Sequence, residues 1–280
     1  MAKKILIIAV FLFGLYNLAL LSWMKNSGAV YTDVDKVERF LYSGKRYKVI
    51  TAGSSLIGAL TLDATKRPDF YNLSLPPSGA CTGVRTIVLS GKIPDSLYLE
   101  TNYISRGLNQ AVLSELFDPF AYNIKFYLPA LEKSNKFIPL ILNKLKPSVP
   151  ESPNKKQPEK KLFDKLLAIN RIEYNAIPDP MEYHKILQNL GADLHYLSNK
   201  GCKIVFFEVP IEREFVNSPK LTYQRKALKK FFTEKEYKWI EPDTTDTYYT
   251  GDGKHLLRES FDRFNKYLKK KSSLLNIKRS

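Results

Sequence analysis

From Ile5 to Met24 the chain is apolar apart from Asn17 and Ser22, and this run limits what the remaining residues can build. A helix of this length rises about 30 Å, the thickness of a bilayer's hydrocarbon core. Packed inside a soluble domain, it would be a terminal helix apolar on all sides, which few cores accommodate. The run exceeds a typical signal-peptide core and no clear Ala-x-Ala site follows it, so it reads as a retained signal anchor rather than a cleaved signal. Lys3, Lys4 and the terminal amine favour a cytoplasmic N-terminus, a bias that Lys25 dilutes. The expected layout is a cytoplasmic tail at 1–4 and a single-pass transmembrane segment at 5–24. All that follows then lies on the periplasmic, extracytoplasmic side of a cell membrane.

The 280 residues leave room for one substantial domain with appendages, and a hydrophobic content of 44% fits a globular chain. The net charge of +16 suits anionic lipid headgroups, acidic glycans or nucleic acid. No nucleic-acid module is present, and an anchored domain outside the cytoplasm makes nucleic acid a poor partner. Two cysteines, Cys81 and Cys202, cannot form a disulfide scaffold or a multi-cysteine metal site.

Residues 25–46 read as a stalk with a short amphipathic helix at 33–41, and 273–280 as a basic tail. Tyr47–Ala52 is the first expected strand, ended by Gly53-Ser54-Ser55. Phe70–Leu75 is the second, Thr82–Ser90 a helix stopped by Gly91, and Ser96–Thr101 a third strand. Strand, helix, strand with such short connections is a βαβ pattern, the signature of a parallel sheet. Residues 108–175 show little regularity. Within them, 144–161 carries six lysines and four prolines, which reads as a mobile insertion serving as lid, electrostatic contact or plain solvated loop. Regular spacing returns with a helix at 181–199, where Ile186, Leu190, Leu194 and Leu197 share a face. A buried strand begins at Cys202, a basic helix spans 218–235, Tyr237–Ile240 is a short strand, and an amphipathic helix runs from 256 to 270.

The polar residues at the strand ends carry the chemistry. Ser55 follows strand one, Gly79 strand two and Asn102 strand three, while Asp252 to His255 precedes the last helix. In a parallel sheet these ends open on one edge, where such sheets bind ligands. A serine hydroxyl needs a base within hydrogen-bond reach, and His255 can take its proton near neutral pH. Asp252 can hold the other ring nitrogen. Gly79 N–H, the Asn102 amide and the Ser55 N–H would receive the oxyanion. Each element also has an ordinary structural use: Gly-Ser-Ser as a helix cap, Asn102 at a strand end, Gly79 as turn chemistry after two prolines. His184 and His195 fall in a helical pattern and read as surface or packing residues.

Together the four blocks resemble the SGNH/GDSL-type hydrolases. Gly53-Ser54-Ser55 stands for the Gly-Asp-Ser block with Ser55 as nucleophile, and Asn72 through Gly79 for the second block. Glu100-Thr101-Asn102-Tyr103 stands for Gly-x-Asn-Asp, and Asp252–His255 for Asp-x-x-His. Ser54 replaces the usual aspartate, and the third block keeps only its asparagine. The resemblance implies a flavodoxin-like three-layer α/β sandwich with a central parallel sheet, spanning 47–272. It implies a serine esterase or O-acyltransferase with catalytic Ser55, His255 and Asp252 and oxyanion donors Gly79 and Asn102. No cofactor or metal is expected. Membrane-anchored members that modify envelope polymers, alginate O-acetyltransferase-like and D-alanyl-lipoteichoic-acid accessory proteins among them, carry such substituted blocks. They suggest an acylated envelope glycan or lipid as substrate and admit a membrane-bound acyltransferase as partner. The alternative is a catalytically inactive assembly or binding protein on the same fold. Cys81 and Cys202 fall toward opposite sheet edges, so no disulfide is expected between them.

Overall fold

The computed structural model describes residues 1–22, 32–62, 68–135, 153, 156–233, 237–243 and 246–274. In chain order the elements are α1 (Ala2–Ser22), α2 (Asp33–Tyr42), β1 (Val49–Gly53), β2 (Phe70–Ser74), α3 (Gly79–Ser90), β3 (Ser96–Glu100), α4 (Gln110–Leu116), α5 (Pro119–Lys125), α6 (Lys160–Asn175), α7 (Pro180–Asn199), β4 (Lys203–Phe207), α8 (Pro219–Phe231), β5 (Lys238–Ile240) and α9 (Arg258–Leu274). They divide into two compact units. One is helical, Met1–Lys45 with Gln110–Val149, and the other is α/β, Arg46–Asn109 with Pro150–Ser280.

The α/β unit is built on five parallel strands in the order β2-β1-β3-β4-β5. The chain steps outward from β1 to β2, then crosses back to the far side of β1. That reversal leaves a crevice between the carboxyl ends of β1 and β3. Every residue of β1 and β3 is buried, as expected of strands covered on both faces. On one face Val49, Tyr98, Val205, Phe207 and Ile240 join Phe261, Phe264 and Leu268 of α9 in a common core. On the other, Ala52 and Leu73 meet α3 at Gly83, where an added Cβ would lie 3.2 Å from that of Ala52. Phe206 stacks on Trp239 at 4.5 Å and packs against Phe232 at 5.2 Å.

The elements expected in 47–101 and 181–270 are present with shifted ends: α3 starts at Gly79, α8 stops at Phe231 and α9 continues to Leu274. Residues 108–175, expected to be irregular, include α4, α5 and α6 among the described residues. Of the Lys/Pro-rich stretch 144–161, most lies outside the described residues, and Lys160 and Lys161 open α6. Cys81 and Cys202 are free and buried, and burial pushes each thiol up to about 12.

Within the stretch 25–46, residues 33–42 are helical where the short amphipathic helix was expected at 33–41. They form α2, whose start is fixed by a reciprocal cap: Thr32 Oγ1 accepts from Asp35 N–H at 3.2 Å, and Asp35 Oδ2 accepts from Thr32 N–H at 2.9 Å. Val34, Val37, Phe40 and Leu41 are buried within the helical unit. So is Glu38, which accepts from Lys125 Nζ at 2.6 Å and Lys133 N–H at 2.7 Å. This carboxylate joins α2 to α5 and to the turn after it. Replacing it strands a largely buried ammonium and a backbone donor, so Glu38→Ala should destabilise the helical unit by about 3 kcal/mol. Chemical denaturation of the full chain in detergent tests this, and an unchanged midpoint would remove Glu38 from that role.

Candidate active site

The sequence Val49-Ile50-Thr51-Ala52-Gly53 is extended and buried, and it ends where a side chain would not fit. A Cβ on Gly53 would fall 2.7 Å from Glu100 Cβ and 2.9 Å from Ile57 Cδ1. The chain then turns into a single 3-10 turn, Ser55–Ile57, with Ser54 as its cap; Ser54 Oγ accepts from Leu56 N–H at 3.3 Å. Ser54 is wholly buried and held on three sides. Its N–H donates to Glu100 Oε2 at 2.7 Å, and its carbonyl accepts from Ser74 Oγ at 2.9 Å. Asn72 secures the far end of the turn, donating from Nδ2 to the carbonyls of Ile57 and Leu60 at 2.7 and 2.9 Å. With Ser54 turned inward, Ser55 is the serine left partly exposed at the sheet's carboxyl edge.

The loop before α9 is equally constrained. Thr250 and Leu256 form an antiparallel bridge, and Gly251 N–H donates to His255 O at 2.8 Å, pinching residues 251–255 into a tight excursion. Gly253 sits at φ +91°, and a Cβ there would come within 2.8 Å of Leu167 Cδ2 and 2.9 Å of Asn170 Nδ2. Asn170 Nδ2 donates to Asp252 O at 2.5 Å. Thr250 Oγ1 accepts from Gly253 N–H at 3.1 Å and donates to Glu212 at 2.6 Å.

These two loops meet across 200 residues of sequence. His255 Nε2 lies 2.8 Å from Ser55 Oγ. On the other side of the ring, His255 Nδ1 lies 2.7 Å from Asp252 Oδ2. Asp252 Oδ1 accepts from Lys254 N–H at 2.9 Å and His255 N–H at 2.7 Å. Burial would raise the Asp252 carboxyl, but the hydrogen bonds from the His255 ring and backbone, with that from Lys254, hold it down at about 2. An ionised Asp252 accepts only, so the proton of the neutral ring sits on Nδ1, leaving Nε2 to accept from the serine hydroxyl. Ser55, His255 and Asp252 are thus in hydrogen-bond contact, in the order that a nucleophile, a base and an orienting carboxylate would take.

The two expected oxyanion donors are placed otherwise. Gly79 opens α3 at φ +72°, but its N–H donates to Leu75 O at 2.7 Å. Asn102 is buried, giving Nδ2 to Val209 O and accepting from Val209 N–H, both at 2.9 Å. Its amide continues the β3–β4 ladder past the last strand residues, supplying partners that the diverging backbone would otherwise lack. The Ser55 N–H stands in the first turn of its short helix, where no partner exists within the turn.

Several residues that shape this site carried no motif in the sequence. Glu100 is fully buried beneath the serine turn, and among the described residues its Oε1 has no hydrogen-bond partner. Burial raises its carboxyl above the usual range, against the opposing hydrogen bonds from Ser54. Beside His255, Lys254 and Lys220 both pair with Glu173, Lys220 at 2.9 Å. Burial would raise the Glu173 carboxyl, but these lysines hold it below the usual range. Lys220 also lies over the Tyr103 ring at 5.3 Å, and the Arg106 guanidinium stacks on the same ring at 4.0 Å. Lys220 is buried, Lys254 half-buried and Arg106 exposed. Phe163, Leu167, Asn170 and Tyr174 recur at helical spacing, and that recurrence was the available signal for α6. His184 packs edge-on against Phe231, and His195 bonds Asn199. Among the described residues, no three His, Cys, Asp or Glu side chains group to hold a metal ion.

Two outcomes follow from this arrangement. A left-handed backbone and a blocked Cβ should make Gly253→Ala cost about 2 kcal/mol, read as a lower melting temperature. A carboxyl whose folded-state pKa is raised adds stability where it is protonated, and that contribution disappears as pH rises through the raised value. Glu100→Gln should therefore gain on wild type in melting temperature as pH increases from about 4 to about 8. A difference that does not vary with pH would show that the Glu100 carboxyl binds its proton equally well folded and unfolded, and so is not raised by burial. No protein-family model and no curated protein matches this chain.

Proposed function

We propose that the chain is a membrane-anchored serine esterase or O-acyltransferase of the SGNH type, acting on acyl esters of a cell-envelope glycan or lipid. The observation that carries this reading is the relay from Ser55 Oγ through His255 to Asp252, at 2.8 and 2.7 Å. Its position supports the same reading. Ser55 follows β1, at the crevice between β1 and β3 where doubly wound sheets bind ligands. The strand order 2-1-3-4-5 is the flavodoxin-like one.

In the first half-reaction Ser55 Oγ attacks the acyl carbonyl and its proton passes to His255 Nε2. The tetrahedral intermediate collapses as the C–O bond to the leaving alcohol breaks, and His255 returns the proton to that alcohol. Asp252, ionised throughout, stabilises the imidazolium. In the second half, water or a sugar hydroxyl gives its proton to His255 and attacks the acyl carbonyl; the bond to Ser55 Oγ breaks and His255 returns the proton to that oxygen. The Ser55 N–H is the donor best placed for the oxyanion. Lys254 and Arg106, which reach solvent beside the site, suit an acidic glycan or lipid. α1 is long and apolar enough to cross a membrane. With its N-terminus in the cytoplasm, it would hold the catalytic unit in the periplasm.

A fluorophosphonate probe applied to the full chain in detergent tests the assignment. Wild type and Ser54→Ala should label, while Ser55→Ala and His255→Ala should not. With a simple acyl ester, turnover should fall on the order of 10⁴-fold or more in either triad variant. A folded wild type that neither labels nor turns over ester would defeat the enzyme reading.

A further inference from the structure

We infer that α5 and the turn after it are seated in the membrane interface, in the leaflet where α1 ends. The inference rests on α1 spanning the bilayer. Most of α1 is exposed, but Asn17 and Leu20 are buried, and they are buried against the segment 129–135 of the same helical unit. Asn17 Oδ1 accepts from Ala130 N–H at 3.0 Å, Asn17 Nδ2 donates to Phe13 O at 2.9 Å, and Tyr16 OH donates to Asn135 O. Asn17 lies about 7 Å before the end of α1, at 1.5 Å per residue. The segment bonded to it therefore stands beside the last turns of the spanning helix, at or below headgroup level.

The chemistry of the contact agrees with that depth. A polar side chain in a membrane span is costly unless satisfied, and a backbone N–H in hydrocarbon must find a partner. Asn17 and Ala130 N–H answer each other. The surface around them has the composition of an interfacial belt. Phe120 is 75% exposed, Phe126 45%, Tyr127 78% and Leu131 36%. Four large apolar side chains left open beside a membrane helix fit the aromatic layer that sits between lipid tails and headgroups. This accounts for Asn17, the polar residue that interrupts the otherwise apolar core of α1.

The test is a depth measurement on the full chain in phosphatidylglycerol-containing vesicles. Single cysteines Phe120→Cys, Tyr127→Cys, Leu12→Cys and Lys226→Cys are spin-labelled separately; the native thiols are buried, and all four positions are exposed. The ratio of collision with oxygen to collision with a water-soluble nickel chelate should be severalfold higher at 120 and 127 than at 226, approaching that at 12. A membrane-type ratio at 12 with water-type ratios at 120 and 127 would overturn the interfacial seat while leaving the anchor intact. A water-type ratio at 12 would remove the anchor, and the inference with it.

Discussion

The site depends on how the end of β1 is fastened. The Ser54 N–H is held by Glu100, the Ser54 carbonyl by Ser74, and the Gly53 carbonyl by Leu75 N–H. Each bond comes from an adjacent strand, so the parallel sheet itself aims the turn. A serine one position along is then presented outward. Were the cap loosened, Ser55 would lose its direction before it lost its chemistry. The close approach of Glu100 to Gly53 shows why glycine stands here even without an unusual backbone angle. The constraint is space rather than conformation.

Much of the α/β unit was legible because its strands are short, apolar and closed by turn residues, and its later helices keep a clear stripe. Ser55, Asp252 and His255 were legible because their types and strand-end positions fit one reaction. In the helical unit α1 and α2 were legible, but the later helices were not. α4 and α5 are too short to display a period, although Asp118 followed by Pro119 is a helix start that could have been recognised: Asp118 Oδ1 accepts from Phe120 N–H and Ala121 N–H. α6 was hidden by the lysines before it and by a polar residue, Asn170, within its buried stripe.

The oxyanion donors mark the limit of motif reasoning. A sequence shows that an asparagine or glycine is present, but not which carbonyl its N–H will meet. Asn102 extends a ladder and Gly79 closes a turn, so both hydrogen-bond in ways that their letters could not disclose. Glu100 is the converse case. It departs from the pattern that Gly-x-Asn-Asp would set, yet it is the residue on which the serine turn rests.

The distance in sequence between Ser55 and His255 has a consequence for biogenesis. The serine turn is complete once β1 to β3 are present, but its hydroxyl remains an ordinary alcohol until the loop at 250–256 closes over it. A chain cut short before that loop therefore carries Ser55 without the imidazole that its hydroxyl meets in the complete fold. The contact between Ser55 and His255 is made last, by the same closure that packs α9 onto the sheet. Under the proposed function, finishing the fold is the step that arms the serine.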